Sequence, residues 1–113
     1  MTQDTSITST ATVATDRPGR YGKQLVAHLT RRAVGEWDEQ TETGWIEFTG
    51  GRVTLTSADA ALDLALAAGS DDVERLEDVV GRHLVRFGTR DELHVRWIRS
   101  DGRPGTEQRL TEE

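Results

Sequence analysis

From Ile7 the chain alternates. Ile7, Ser9, Ala11 and Val13 fall on one side, and Thr8, Thr10 and Thr12 on the other. That period of two belongs to a half-buried strand, and Thr and Val suit one. The period then changes. Tyr21, Leu25, His28 and Leu29 recur at helical spacing, which predicts a helix with one apolar stripe. Asp16 reads as its N-cap, with Pro18 in the first turn, and the helix is expected from Arg17 to Arg32. Alternation returns afterwards. Val34 to Glu39 gives the faintest strand pattern; Trp45 to Thr49 follows, with Ile46 and Phe48 inward. Gly50-Gly51 is a hairpin signal leading into Arg52 to Ser57, with Val53 and Leu55 inward.

Leu62, Leu64 and Leu66 again repeat every second residue. The segment is alanine-rich, so a helix competes. Helical spacing would scatter the leucines around the cylinder, and a strand is expected instead. Gly69-Ser70 opens a second helix, with Asp71 and Glu74 spaced as a capping box. Its stripe is Val73, Leu76, Val80, His83, Leu84 and Phe87, and Gly88 is placed to end it. Leu93, Val95 and Trp97 form a last strand.

The expected order is therefore β-α-β-β-β-β-α-β. Hairpin-linked strands need an antiparallel sheet, and each helix has one face to bury. Both demands are met by an α+β two-layer sandwich with both helices on one face of the sheet. Residues 7–99 form this single domain. Residues 1–6 are expected to be a flexible N-terminus, and the polar, Gly- and Pro-containing residues 100–113 a flexible C-terminal tail. The opposite sheet face carries Trp45, Glu47, Thr54, Thr56, Ala65, Ala67 and Ile98. Trp45 and Ile98 there predict association with another copy, a homodimer.

Composition narrows the chemistry. The 113 residues suit one domain. Hydrophobic residues at 35% can fill a modest core. A net charge of −6 and a pI near 5.0 disfavour nucleic acid and anionic lipid as partners. There is no cysteine, which excludes disulfides, thiolate metal sites and thiol nucleophiles. No apolar run is long enough to span a membrane, and the polar start is unlike a secretory signal. The expected compartment is the cytoplasm. No catalytic residue is assigned: there is no nucleophile elbow, no P-loop and no metal-binding His spacing.

Two clusters remain. Arg17, Arg20 and Lys23 crowd the start of the first helix with Tyr21. Cations there oppose the helix dipole at about a few tenths of a kcal/mol each. The second helix does the reverse, with Asp71, Asp72 and Glu74 at its start and Arg82, His83 and Arg86 towards its end. An anionic ligand at the first helix would offset the violation. The competing reading is that carboxylates of this acidic chain hold these cations. The second cluster is His28 and His83, one on or beside each apolar stripe. Helices sharing a sheet face would bring them together, where two imidazoles can serve a transition metal or haem iron. The competing reading is a pair of structural histidines bonded to backbone, Glu77, Tyr21 or Gln24.

The stretch Arg17-Pro18-Gly19-Arg20-Tyr21-Gly22-Lys23-Gln24-Leu25, ending at His28, and the stretch His83 to Phe87 with Arg86 resemble the bacterial domain of unknown function 2218 family, over about residues 8–98. The resemblance implies no assigned activity. It implies an association with flavin-dependent siderophore-interacting proteins, and so with iron handling. Two readings follow. One is a binding or accessory module for a small anionic ligand or a protein partner, with no cofactor. The other is a metal- or haem-linked redox protein built on His28 and His83.

Overall fold

The computed structural model describes residues 6–87 and 93–109. The chain runs β1 (Ser6–Ala14), α1 (Pro18–Leu29), β2 (Val34–Asp38), β3 (Thr43–Phe48), β4 (Gly51–Ala58), β5 (Ala61–Gly69), α2 (Val73–Phe87), β6 (His94–Arg99) and β7 (Pro104–Arg109). All seven strands share one antiparallel sheet in the order β2-β3-β4-β5-β1-β6-β7. The meander β2 to β5 supplies one half. β1 then inserts between β5 and β6, paired with β5 along its whole length.

One face of each strand points into a single core. Val13, Ile46, Val53, Leu55, Leu62, Leu64, Leu66, Val95 and Trp97 are buried there, with Leu25 of α1 and Leu76, Val80 and Leu84 of α2. Their neighbours Thr12, Thr54 and Arg96 are exposed. Both helices lie on that inner face, so the fold is the two-layer α+β sandwich expected. α1 covers the β2–β5 side, and α2 covers β5, β1, β6 and β7. The β5 leucines are inward, as strand geometry requires.

Several boundaries differ from expectation. Arg17, not Asp16, holds the N-cap position of α1, with no side-chain cap. The Thr15 hydroxyl accepts the Arg17 amide instead, at 3.0 Å. The regular helix stops at Leu29, because the Thr30 hydroxyl donates back to the Val26 carbonyl at 2.7 Å. Arg31 and Arg32 continue only as a tighter turn. α2 begins at Val73, with the Asp72 carbonyl accepting the Leu76 amide, so the Asp71–Glu74 spacing is offset from the true start. Phe87 is half-buried at the edge of the core rather than within it. Gly88, expected to end the helix, lies outside the described residues.

The largest correction is at the end of the chain. Residues 104–109, expected within a flexible tail, form β7. Its inward residues are polar, so the apolar alternation that marks the other strands is missing. Gln108 is buried, and its Oε1 accepts the Trp97 indole N–H at 2.9 Å. Gly81 makes room for it: a side chain there would collide with the Gln108 amide.

Candidate functional site

The start of α1 carries the first predicted cluster. Arg17, Arg20 and Lys23 line a shallow groove together with Asp16, Glu39 and Glu42. Three cations face three carboxylates, so the groove has no net charge to favour an anion. Lys23 is held by Glu39. A side chain on Gly19 would stand 3.5 Å from the Glu42 carboxylate, which puts that carboxylate beside the first turn, where a bound anion would lie. The guanidinium groups of Arg17 and Arg20 have no carboxylate partner among the described residues. Tyr21 is buried at 7% exposure and belongs to the core instead of the groove wall.

The second cluster comes together as its helical stripes require. The His28 and His83 rings lie 5.1 Å apart between centroids, tilted at 44°. Phe87 meets His28 edge-on at 5.4 Å. His83 Nδ1 is bonded to the Val79 carbonyl at 2.7 Å. A carbonyl can only accept, so Nδ1 carries the proton and Nε2 keeps its lone pair in the neutral ring. The His28 imidazole makes no hydrogen bond with another described residue. Both rings are half-buried. Two imidazoles on one ion, at metal–nitrogen distances of about 2.0–2.1 Å, bring ring centres to roughly 5 Å. Two imidazoles on opposite faces of a porphyrin need roughly 6 Å or more. The observed 5.1 Å is near the first of these spacings, and it is also an ordinary distance for two rings in contact. No three His, Asp or Glu residues gather to hold a metal among the described residues.

A third cluster has no counterpart in the sequence reading. Glu77 of α2 is fully buried. Its Oε2 accepts from the Ser9 hydroxyl at 2.5 Å and Arg99 Nε at 3.1 Å. Its Oε1 accepts from Arg99 at 3.0 Å, and from the Thr106 amide and hydroxyl, each at 2.9 Å. Burial alone would push this carboxyl up. The hydrogen bonds from Arg99, Ser9 and Thr106 outweigh burial and hold it below the ordinary carboxylate range. A carboxylate with five donors has no lone pair left for a substrate, so this is a structural lock joining α2 to β1, β6 and β7. Glu77 sits at helical spacing with Val73, Val80 and Leu84. A carboxylate inside an apolar stripe is the signal that marks it.

The fold is that of a small two-layer α+β domain. The model of an uncharacterised bacterial family, DUF2218, matches residues 10–98. The chain belongs to that family. No curated protein matches it. No solved structure matches it either. Among the described residues no helix is long and apolar enough to cross a membrane.

Proposed function

We propose that this protein is a non-catalytic binding module of the cytoplasm whose ligand is a transition-metal chelate docked at the seam of α1 and α2. The observation that carries this is the 5.1 Å approach of His28 and His83. The Val79 carbonyl supports it by fixing the His83 ring and its tautomer, as outer partners of metal-binding histidines do. Imidazole suits zinc, copper, iron and nickel. Two protein ligands leave most of the coordination sphere to other donors, so the metal arrives already chelated. Arg86 follows His83 by three residues on α2. That spacing puts a cation beside the seam, which favours an anionic chelate over a bare cation. The association with siderophore-interacting proteins that the resemblance implies would make that metal iron, as part of the same proposal.

The test is titration of the purified protein with ferric citrate and, separately, with zinc ion, followed by visible absorption and by the imidazole NMR signals. Binding that is lost in His28→Ala and in His83→Ala, with melting unchanged, is expected. A wild-type protein that takes up neither probe overturns the proposal.

A second reading keeps a weak anion site at the start of α1, supported by the guanidinium groups of Arg17 and Arg20, which have no carboxylate partner among the described residues. Phosphate titration should then shift the amides of residues 17–23, and the Arg17→Ala/Arg20→Ala double variant should not respond. Equal shifts in both proteins would leave only a mixed-charge surface.

A further inference from the structure

The sheet face without helices has an order that the linear sequence conceals. The strand registers align Glu36, Trp45, Thr54, Ala65, Thr10 and Ile98 in one row across six strands. β5 is the fourth of the seven strands, and Ala65 is its residue in this row. Trp45 lies two strands to one side of Ala65 and Ile98 two strands to the other. Ile98 is 57% exposed, with nothing covering it. Trp45 is half-buried, with the Arg52 guanidinium 4.4 Å from its ring centre. Thr54 and Thr10 stand one strand to either side of Ala65. The row is nearly symmetric in character about β5.

We infer that this face is the interface of a homodimer whose two-fold axis runs along β5. Rotation about that axis lays the strands of one copy over those of the other in reversed order. β3 then covers β6 of the partner copy, so Trp45 meets Ile98 in both halves of the interface. Thr54 meets Thr10, and Ala65 meets Ala65 on the axis. Charge selects this axis over the alternative. Glu36, Asp38 and Glu47 leave the β2–β3 side acidic even with Arg52 of β4 opposite Glu47, while Arg96 and Arg109 mark the β6–β7 side, where Glu107 is engaged by His94. An axis across the strands would place each side against itself, acid on acid. The axis along β5 places the acidic side against the basic one, as a self-complementary interface requires.

Strands about 4.8 Å apart and about 20 Å long give a seven-stranded face of roughly 600 Å² per copy. That is near the lower bound for specific interfaces, at about 600 Å² per partner. One contact is unfavourable. Asp63, two residues before Ala65 on the same face, also lies on the axis and meets its own copy. The dimer is therefore weak, and neutralising Asp63 should tighten it.

Sedimentation equilibrium of the full chain, from micromolar to near-millimolar concentration, tests this. The wild type should show monomer–dimer exchange, and Asp63→Asn should shift it at least several-fold towards dimer. Ala65→Arg should be monomeric throughout with its melting temperature kept. Ile98→Glu, at an exposed position, gives the same reading should Ala65→Arg fail to fold. A wild type that stays monomeric overturns the inference, and so does a dimer that survives Ile98→Glu or is unmoved by Asp63→Asn. None of these positions touches His28 or His83, so a failure here leaves the metal proposal standing, and the reverse holds too.

Discussion

The two halves of the sheet are held together by opposite kinds of interaction. On the β2–β5 side, α1 covers Ile46, Val53, Leu55, Leu62, Leu64 and Leu66, all buried and all apolar. On the β6–β7 side, α2 covers a mixed layer, where Trp97 and Val95 lie beside Glu77, Arg99, Thr106 and Gln108. The apolar half is stabilised by removal of surface from water, which is non-directional and tolerant of shape. The polar half depends on donors and acceptors that must all be in place. A buried carboxylate is acceptable only while its partners hold it, and losing one strands the other. One side should therefore yield gradually to substitution and the other by the removal of single groups.

The largest effects test that contrast directly. Glu77→Ala is expected to cost about 3–5 kcal/mol, because it leaves Arg99 and the Thr106 amide without their acceptor. Leu64→Ala should cost about 2–5 kcal/mol through lost transfer energy and a cavity. Urea denaturation gives both numbers, but the pair separates only in a second step. Adding Arg99→Met to Glu77→Met should recover much of the loss from either single change, whereas nothing paired with Leu64→Ala will do so. Additive losses at Glu77 and Arg99 would mean that the network is not coupled and that the contrast is mistaken.

Acid should attack the polar half first. The Glu77 carboxyl is held below its ordinary value of 4.5 in the folded protein. A depressed folded value contributes stability that is fully present above the unfolded carboxylate range. That stability is lost as pH falls through the lower folded value. Stability should therefore decline as pH drops below 4.5, and the decline should be shallower in Glu77→Gln. Equal slopes in the two proteins would show that other carboxylates dominate.

Two smaller effects lie outside both networks. Phe87 is half-buried against His28, so Phe87→Ala should cost about 1–2 kcal/mol, less than for a fully buried ring. It should also broaden the His28 and His83 ring signals, since their shared wall is gone. Smallest is Lys23→Ala. Lys23 and Glu39 have side chains 60% and 65% exposed, and such pairs contribute about 0–1 kcal/mol. A thermal midpoint that moves more than a degree or two would give this ion pair a structural role that its exposure does not suggest.

Most of the architecture was legible because most of it rests on apolar period. The six strands from β1 to β6 and both helices follow from positions such as Val53, Leu55, Leu64 and Val95, where a side chain's hydropathy decides which way it faces. The meeting of His28 and His83 was legible for the same reason, since both belong to stripes that share one core. β7 was not. Pro104 to Arg109 contains no apolar residue that could mark a face, and Gly and Pro there read as loop. It is a strand because it pairs with β6, pinned there by Glu77, 29 residues away in sequence, accepting from the Thr106 amide, and by Trp97 donating to Gln108. Hydrogen-bond partners of that kind have no period, so only the folded chain brings them together. The balance of charge at the start of α1 was hidden likewise. Arg17, Arg20 and Lys23 are close in sequence, but Glu39 and Glu42 enter the same groove only because β2 and β3 turn back beside that helix. Apolar period told which hydrophobic side chains leave water. Which polar groups join them, and which satisfy one another, emerges only on folding, because hydrophobicity belongs to a single side chain and a hydrogen bond belongs to a pair.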